Sequence, residues 1–300
     1  ITILSERLVR LEYNKDGQFF DDLTELVRNR DFDIPEFKVN QDDKYLEITT
    51  KYFMLKYMKE KPFEGLNIEI YLLNTDKIWN VKSKEVRNFN TSGQGFILDK
   101  ADYQKGLYSV DGFVTLDDNA SMIINQDGFL TPNVENRFDK YVFMYRRDFG
   151  MCLKDYFTLT GYPPLIPRYA LGNWWNKSEI YNFMDVSNLL SKFNREDIPL
   201  AVVLLDEFWH LKDARDLDKY KTGFTFNRNL FSDPVYFTNF LHEKGVKLGL
   251  NINPTEGIMP HEDAYDMIAS QLGLNDKSTI PFNAFDKNIL QIYLHQLIEP

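Results

Sequence analysis

Residues 200–210 read LAVVLLDEFWH: six apolar residues, Leu200 to Leu205, run without a polar break and end on two acids, Asp206 and Glu207. An unbroken apolar run is the pattern of a strand buried on both faces, as in a parallel sheet covered by helices. The residues around it alternate in kind. An apolar run at 169–175 precedes a helical stretch near 184–193. After the 200–205 strand comes a long loop, then a helix near 234–244 that opens on Pro234, where a missing N–H costs nothing. A strand at 246–251 and helices near 262–272 and 287–298 complete a βαβαβα order, which predicts a parallel sheet.

Upstream the pattern is different. Pro163, Pro164 and Pro167 crowd the stretch 162–167 (YPPLIP) and predict a stiff, extended connector. Before it, segments such as 45–58 (YLEITTKYFMLKYM), 66–73 (LNIEIYLL) and 141–147 (YVFMYRR) are short, aromatic and β-branched. Polar clusters, Asn40-Gln41-Asp42-Asp43 and Thr91-Ser92-Gly93, separate them. Many short strands without intervening helices read as a β-sandwich. The expected organisation is therefore multidomain, β followed by α/β: a sandwich over 1–162 and βα units over 163–300. A (β/α)8 barrel takes about 250 residues, so three strands amount to its first part, ending before a fourth strand. No internal repeat or low-complexity tract interrupts this.

The formal net charge is −10, which repels phosphate backbones and argues against nucleic acid as a partner. Aromatic residues make up 15% of the chain. They suit stacking on sugar rings and equally suit packing in β cores, so for any one ring both uses stay open. The lone Cys152 excludes an intrachain disulfide and fits a reducing compartment. No apolar run nears the roughly 20 residues of a membrane span, and the opening ITILSERLVRLEY lacks the apolar core of a signal peptide. Together these point to a cytoplasmic protein away from membranes. The chain starts at Ile1 rather than Met, so missing upstream residues stay open.

Chemistry concentrates where apolar runs end. Asp206 and Glu207 stand at the C-terminal end of a buried strand, the end that carries active sites in parallel α/β proteins. A carboxylate there needs a partner. Sugar hydroxyls are one, through charge-assisted hydrogen bonds; capping the following loop, or pairing with Lys212 or Arg215, is another. Asn251 and Asn253 hold the equivalent place after the third strand, to orient hydroxyls or to satisfy a turn. Trp174 and Trp175 end the first strand; alternation sends one to the mouth and the other to the core. His261-Glu262-Asp263 are consecutive, read as an N-cap cluster, and do not converge on a metal. Asp213, Asp216 and Asp218 lack the spacing of a calcium loop, and no phosphate loop or nucleophile elbow is present.

Several blocks carry a family resemblance. Residues 159–175, LTGYPPLIPRYALGNWW, are similar to the LTGxPPLPPxWALGxWW segment that opens the barrel of glycoside hydrolase family 31. Residues 106–112 (GLYSVDG) with Asp117-Asp118 resemble that family's GLLSRxGW…DDS segment. FTFN at 224–227 and FSDP at 231–234 resemble FTWNxxxFPDP, and HEKGVK at 242–247 resembles the next helix and strand. The blocks stand in family order.

The resemblance implies a galactose-mutarotase-like sandwich followed by a (β/α)8 TIM barrel. It further implies retaining, exo-acting hydrolysis of α-linked oligosaccharides or glycosides in carbohydrate metabolism, by two carboxyl groups about 5–5.5 Å apart, without metal or cofactor. In the family the nucleophile is an Asp after the fourth barrel strand and the acid/base an Asp after the sixth. Neither has a counterpart here, so the resemblance implies no catalytic residue in this chain and no activity of the chain alone. Asp206 matches the Asp that holds hydroxyls in subsite −1, with Glu207 and Phe208 lining the same subsite. Many α-glucosidases have a second Asp where Phe208 stands; α-xylosidases can carry DCFW, closer to this DEFW. Asn251 falls where members often have an aliphatic residue or Trp. The expected substrate-binding set is thus Asp206, Glu207, Phe208, Trp174, Trp175 and Asn251. The first expectation is an α-glucosidase. An α-xylosidase, α-galactosidase or α-N-acetylgalactosaminidase is the alternative among enzymes, and a non-catalytic carbohydrate-binding or interaction module the alternative outside them. Homo-oligomerisation stays open.

Overall fold

The computed structural model describes residues 1–85, 106–133, 137–211 and 223–298, and its contacts divide the chain into two units, Ile1–Pro163 and Pro164–Pro300. The expected turn at Thr91-Ser92-Gly93, and Lys212, Asp213, Arg215, Asp216 and Asp218, lie outside the described residues.

In chain order the first unit runs β1 (Thr2–Ile3), β2 (Leu8–Tyr13), β3 (Lys38–Gln41), β4 (Tyr45–Thr49), β5 (Phe53–Met58), β6 (Ile68–Leu72), β7 (Ile78–Asn80), β8 (Phe113–Asp117), β9 (Ile123–Ile124), β10 (Leu130–Thr131), β11 (Phe138–Met144) and α1 (Phe149–Thr160). The stretch 45–58 is a hairpin, because Thr50 turns the chain with its hydroxyl accepting from the N–H groups of Tyr52 and Phe53. Two larger antiparallel sheets result, β1-β2-β11-β8 and β3-β4-β5-β6-β7, beside the two-stranded pair β9-β10. Alternation along β11 explains how they are used. Val142 and Met144 join Val9, Leu11, Phe53, Leu55, Ile68 and Ile70 in one cluster between the sheets. Tyr141 and Phe143 face the other way, onto Val27, Cys152 and Leu159. The four-stranded sheet is therefore covered on both faces. The Trp79 indole N–H, buried on β7, donates to the Thr115 hydroxyl of β8 at 2.7 Å.

A charged knot lies beneath this sheet. Asp139 is fully buried and accepts two bonds from Arg10, at Nε 2.9 Å and Nη2 2.9 Å, plus one from Arg137. A buried carboxylate of this kind persists because every charge has a partner.

Helix α1 corrects the expectation of a first half without helices. Its sequence, FGMCLKDYFTLT, is apolar and aromatic enough to pass for strand. Asp148 accepts from the Met151 N–H at its start, and the hydroxyls of Thr158 and Thr160 donate to carbonyls four residues back, so residues that favour strands are accommodated in a helix.

The second unit follows the extended residues 162–167. It comprises a 3-10 turn at Arg168–Leu171, β12 (Trp174–Asn176), α2 (Phe183–Arg195), β13 (Val202–Leu205), α3 (Pro234–Glu243), β14 (Lys247–Leu250), α4 (Tyr265–Gln271) and α5 (Lys287–Ile292), which continues as a π-helical turn, Tyr293–Ile298. The strands form one parallel sheet in the order β12-β13-β14. Helix starts follow local chemistry: Asn182 and Asp185 make a reciprocal capping box for α2, and Asp233 precedes Pro234 at α3. The expected N-cap cluster at 261–263 is corrected. Helix α4 starts after Ala264 with no side-chain cap, Glu262 is buried in the preceding turn, and Asp263 pairs with Arg228 at 3.2 Å. Among the described residues no helix is long and apolar enough to cross a membrane.

Candidate functional site

The two faces of the parallel sheet decide what the strand ends present. Val203 and Leu205, with Leu248 and Leu250, pack against Val186 and Leu190 of α2 and Phe237 and Leu241 of α3. Alternation puts Val202, Leu204 and the next residue, Asp206, on the opposite face, and Gly249 and Asn251 with them. A Cβ at Gly249 would meet Leu204 Cδ1 at 2.8 Å, so a larger residue there would have to displace that side chain.

At the C-terminal ends of β13 and β14 the structure brings Asp206 and Asn251 together. Asn251 Nδ2 donates to Asp206 Oδ1 at 2.7 Å, and the Glu207 N–H donates to the same oxygen at 3.0 Å. The Ser178 side chain adds a smaller favourable influence on the Asp206 carboxyl. The Asn251 amide, aided by the Glu207 N–H and Ser178, holds the Asp206 carboxyl below the usual carboxylate range, against the opposing effect of partial burial. Asp206 is thus a half-buried, ionised acceptor. A carboxylate has about four acceptor positions, so the Asn251 and Glu207 donors leave room for a hydroxyl. Glu207 and Phe208 lie in the turn closed by the Trp209 N–H on the Asp206 carbonyl at 3.3 Å, both half-buried.

Trp174 and Trp175 are elsewhere, and their expected place at the end of the first strand is corrected. The apolar run 169–175 does not form one strand: residues Arg168–Leu171 coil into the 3-10 turn, so the two Trp residues begin β12. Trp174 pairs with Val202 and Trp175 with Val203. Trp174 therefore sits four residues back from Asp206 along the sheet, about 13 Å at 3.3 Å per residue, its indole N–H on the Ala170 carbonyl at 3.2 Å. Trp175 faces the helices, its ring 5.6 Å from Phe193 and its N–H on the Tyr181 hydroxyl.

Two residues at the site escaped the sequence. Ser178 lies just past the end of β12, as Asp206 and Asn251 lie just past β13 and β14; misplacing that strand end hid it. Trp209 is buried, and its indole N–H donates to the Asn251 carbonyl at 2.9 Å. Among the described residues no group of three His, Cys, Asp or Glu side chains is placed to hold a metal ion.

Residues 163–288 match the family model described as the glycosyl hydrolases family 31 TIM-barrel domain. An α-xylosidase of Saccharolobus solfataricus is 31% identical over 123 residues, 40% of this chain and 16% of that protein. Alpha-glucosidase 2 of Bacillus thermoamyloliquefaciens is 30% identical over 102 residues, 34% of this chain and 12% of that protein. A crystal structure of a family 31 α-xylosidase from a soil metagenome, complexed with xylose, superposes with a TM-score of 0.58, covering 90% of this chain and 46% of that one. At 14% identity this likeness speaks to fold alone. The chain thus carries a match to the family 31 barrel domain over residues 163–288. It spans less than half of each of these relatives.

Proposed function

We propose that this chain supplies the sugar-holding strand ends of a retaining, exo-acting α-glycosidase, with Asp206 binding hydroxyls of the sugar at the cleaved bond. The observation that carries the reading is the 2.7 Å bond from Asn251 to Asp206, between the C-terminal ends of neighbouring parallel strands. It fixes a charged acceptor on the face away from the helices before any ligand arrives. Hydrogen bonds from sugar hydroxyls to such a carboxylate strengthen as the ring acquires positive charge on the way to the transition state. Ser178 and Asn251 frame the acceptor, while Glu207 and Phe208 line the turn beside it. Trp174 and Trp175 serve the sheet rather than the sugar.

The first unit, in this reading, is the galactose-mutarotase-like sandwich that accompanies such a barrel; its two facing antiparallel sheets support that. Double displacement needs a nucleophile and an acid on either side of the glycosidic bond. Asp206 and Glu207 are consecutive in one turn and hold neither role, so the 300-residue chain by itself binds sugar without cleaving it. The substrate class is α-glucosides or α-xylosides, in keeping with the relatives of both names. Phe208 favours the xyloside: an apolar ring replaces an acid that could bind further hydroxyls, and xylose lacks the hydroxymethyl group of glucose. Comparing kcat/KM on aryl α-xyloside and aryl α-glucoside, in the active protein that contains this chain, tests the choice. A preference for the glucoside by tenfold or more would return it to an α-glucosidase, and no turnover of either would remove the enzyme reading.

A further inference from the structure

Trp209 is tied to both members of the polar pair at the strand ends, and neither tie is required by its packing. Its ring lies in the core beside Phe226, with centroids 4.7 Å apart, and is only 4% exposed. A buried indole N–H needs an acceptor, and here the acceptor is the Asn251 main-chain carbonyl at 2.9 Å. Strand β14 has ended at Leu250, so this carbonyl lies beyond the strand that holds the residues before it. On its other side Asn251 is held by its own N–H, which donates to the Leu205 carbonyl at 2.9 Å. The Trp209 main chain meanwhile donates to the Asp206 carbonyl at 3.3 Å and accepts from the Asn227 N–H at 2.9 Å. One residue thus grips the backbone of Asp206 and of Asn251, whose side chains bond one another.

We propose that Trp209 is a positioning residue that holds the Asn251 amide on Asp206 and so sets the acceptor geometry of the sugar site. The proposal rests on the reading of Asp206 as a sugar-binding carboxylate. A bound ring must meet its acceptor within about half an ångström. The Asn251 side chain can deliver its amide that accurately only if its own peptide is fixed. Removing the indole N–H takes away one of the two main-chain bonds that hold Asn251, the one beyond the strand, while leaving the aromatic packing.

The test is Trp209→Phe, which keeps a ring against Phe226 and lacks the N–H, studied with Asn251→Ala and the double variant. The Asp206 carboxyl is followed by carbon NMR through an acid titration, and kcat/KM is measured on an aryl α-glycoside in the active protein that contains this chain. Ionisable groups near Asp206 in the chain, Glu207 in the same turn and Lys177 and Glu179 beside Ser178, are unchanged in all variants. We expect Trp209→Phe to move the Asp206 titration upward in the direction of Asn251→Ala and to lower kcat/KM about tenfold, the effect of roughly one buried hydrogen bond. In the Asn251→Ala background the same change should add little. An unmoved Asp206 titration, or equal losses with and without Asn251, would overturn the proposal and leave Trp209 as a core residue. Should Trp209→Phe fail to fold, benzothienylalanine at 209 keeps the bicyclic ring without the N–H and gives the same readouts. Failure of the underlying reading looks different: Asp206→Asn would then leave kcat/KM unchanged whatever the titration does.

Discussion

Asn251 and Asp206, 45 residues apart in sequence, meet at 2.7 Å with the amide donating to the carboxylate. The contact follows from register, because Leu205 pairs with Leu250 and the next residue of each strand faces away from the helices. A carboxylate partnered in this way has a pH signature. Its folded-state value lies below 3.8, with Asn251 the largest cause. It therefore stabilises the fold fully above about pH 4 and loses that contribution as pH falls through the lowered value. Asn251→Ala should raise the Asp206 titration toward 3.8, and carbon NMR of the carboxyl would show it. An unchanged titration would mean the amide bond is not maintained in solution.

The buried knot in the first unit predicts a stability effect of its own. Asp139 neutralises Arg10 and Arg137 with no exposure to water. Asp139→Ala would take the buried carboxylate from two guanidinium groups, leaving Arg10 with the acids Glu12 and Asp21, and should cost about 3–5 kcal/mol in urea unfolding. A loss under 1 kcal/mol would show that water reaches the arginines.

Cys152 should be inert in the native protein. It is 1% exposed on α1, and burial pushes its thiol well above the ordinary range, so the reactive thiolate is scarce. An aromatic disulfide reagent at pH 8 should label it only at the rate of unfolding. Immediate stoichiometric labelling would place the thiol at the surface.

The parts of the barrel that sequence reveals are those where one physical pattern dominates. Residues 200–205 have no polar break and helices on one side, so the strand and its terminal acid are plain. Asn251 is visible for the same reason. The Trp pair misleads because a turn-forming stretch, Arg168–Leu171, is as apolar as a strand, and only register shows that Trp174 lies opposite Val202. Ser178 and Trp209 reach the site through a loop and an indole N–H, and neither follows a period that a sequence can display. In the first unit, α1 is hidden by aromatic residues that serve a helix and a strand equally.

Purified alone, with its mass confirmed, the 300-residue chain should not turn over aryl α-glucoside or α-xyloside, since cleavage requires two opposed carboxyl groups. Turnover that tracks the protein would mean a carboxyl pair assembles from residues given other roles here.

The most direct measurement is kcat/KM of Asp206→Asn in the active protein containing this chain, on its preferred aryl α-glycoside. The substitution keeps size and shape, removes the charge and turns one acceptor oxygen into a donor, which in the proposed reading weakens the bonds to the sugar. Losing such a transition-state contact costs about 100-fold or more. That loss, with an unaltered melting temperature, is the predicted result. A kcat/KM within twofold of the parent would contradict the account and leave Asp206 as an acid that merely closes a turn.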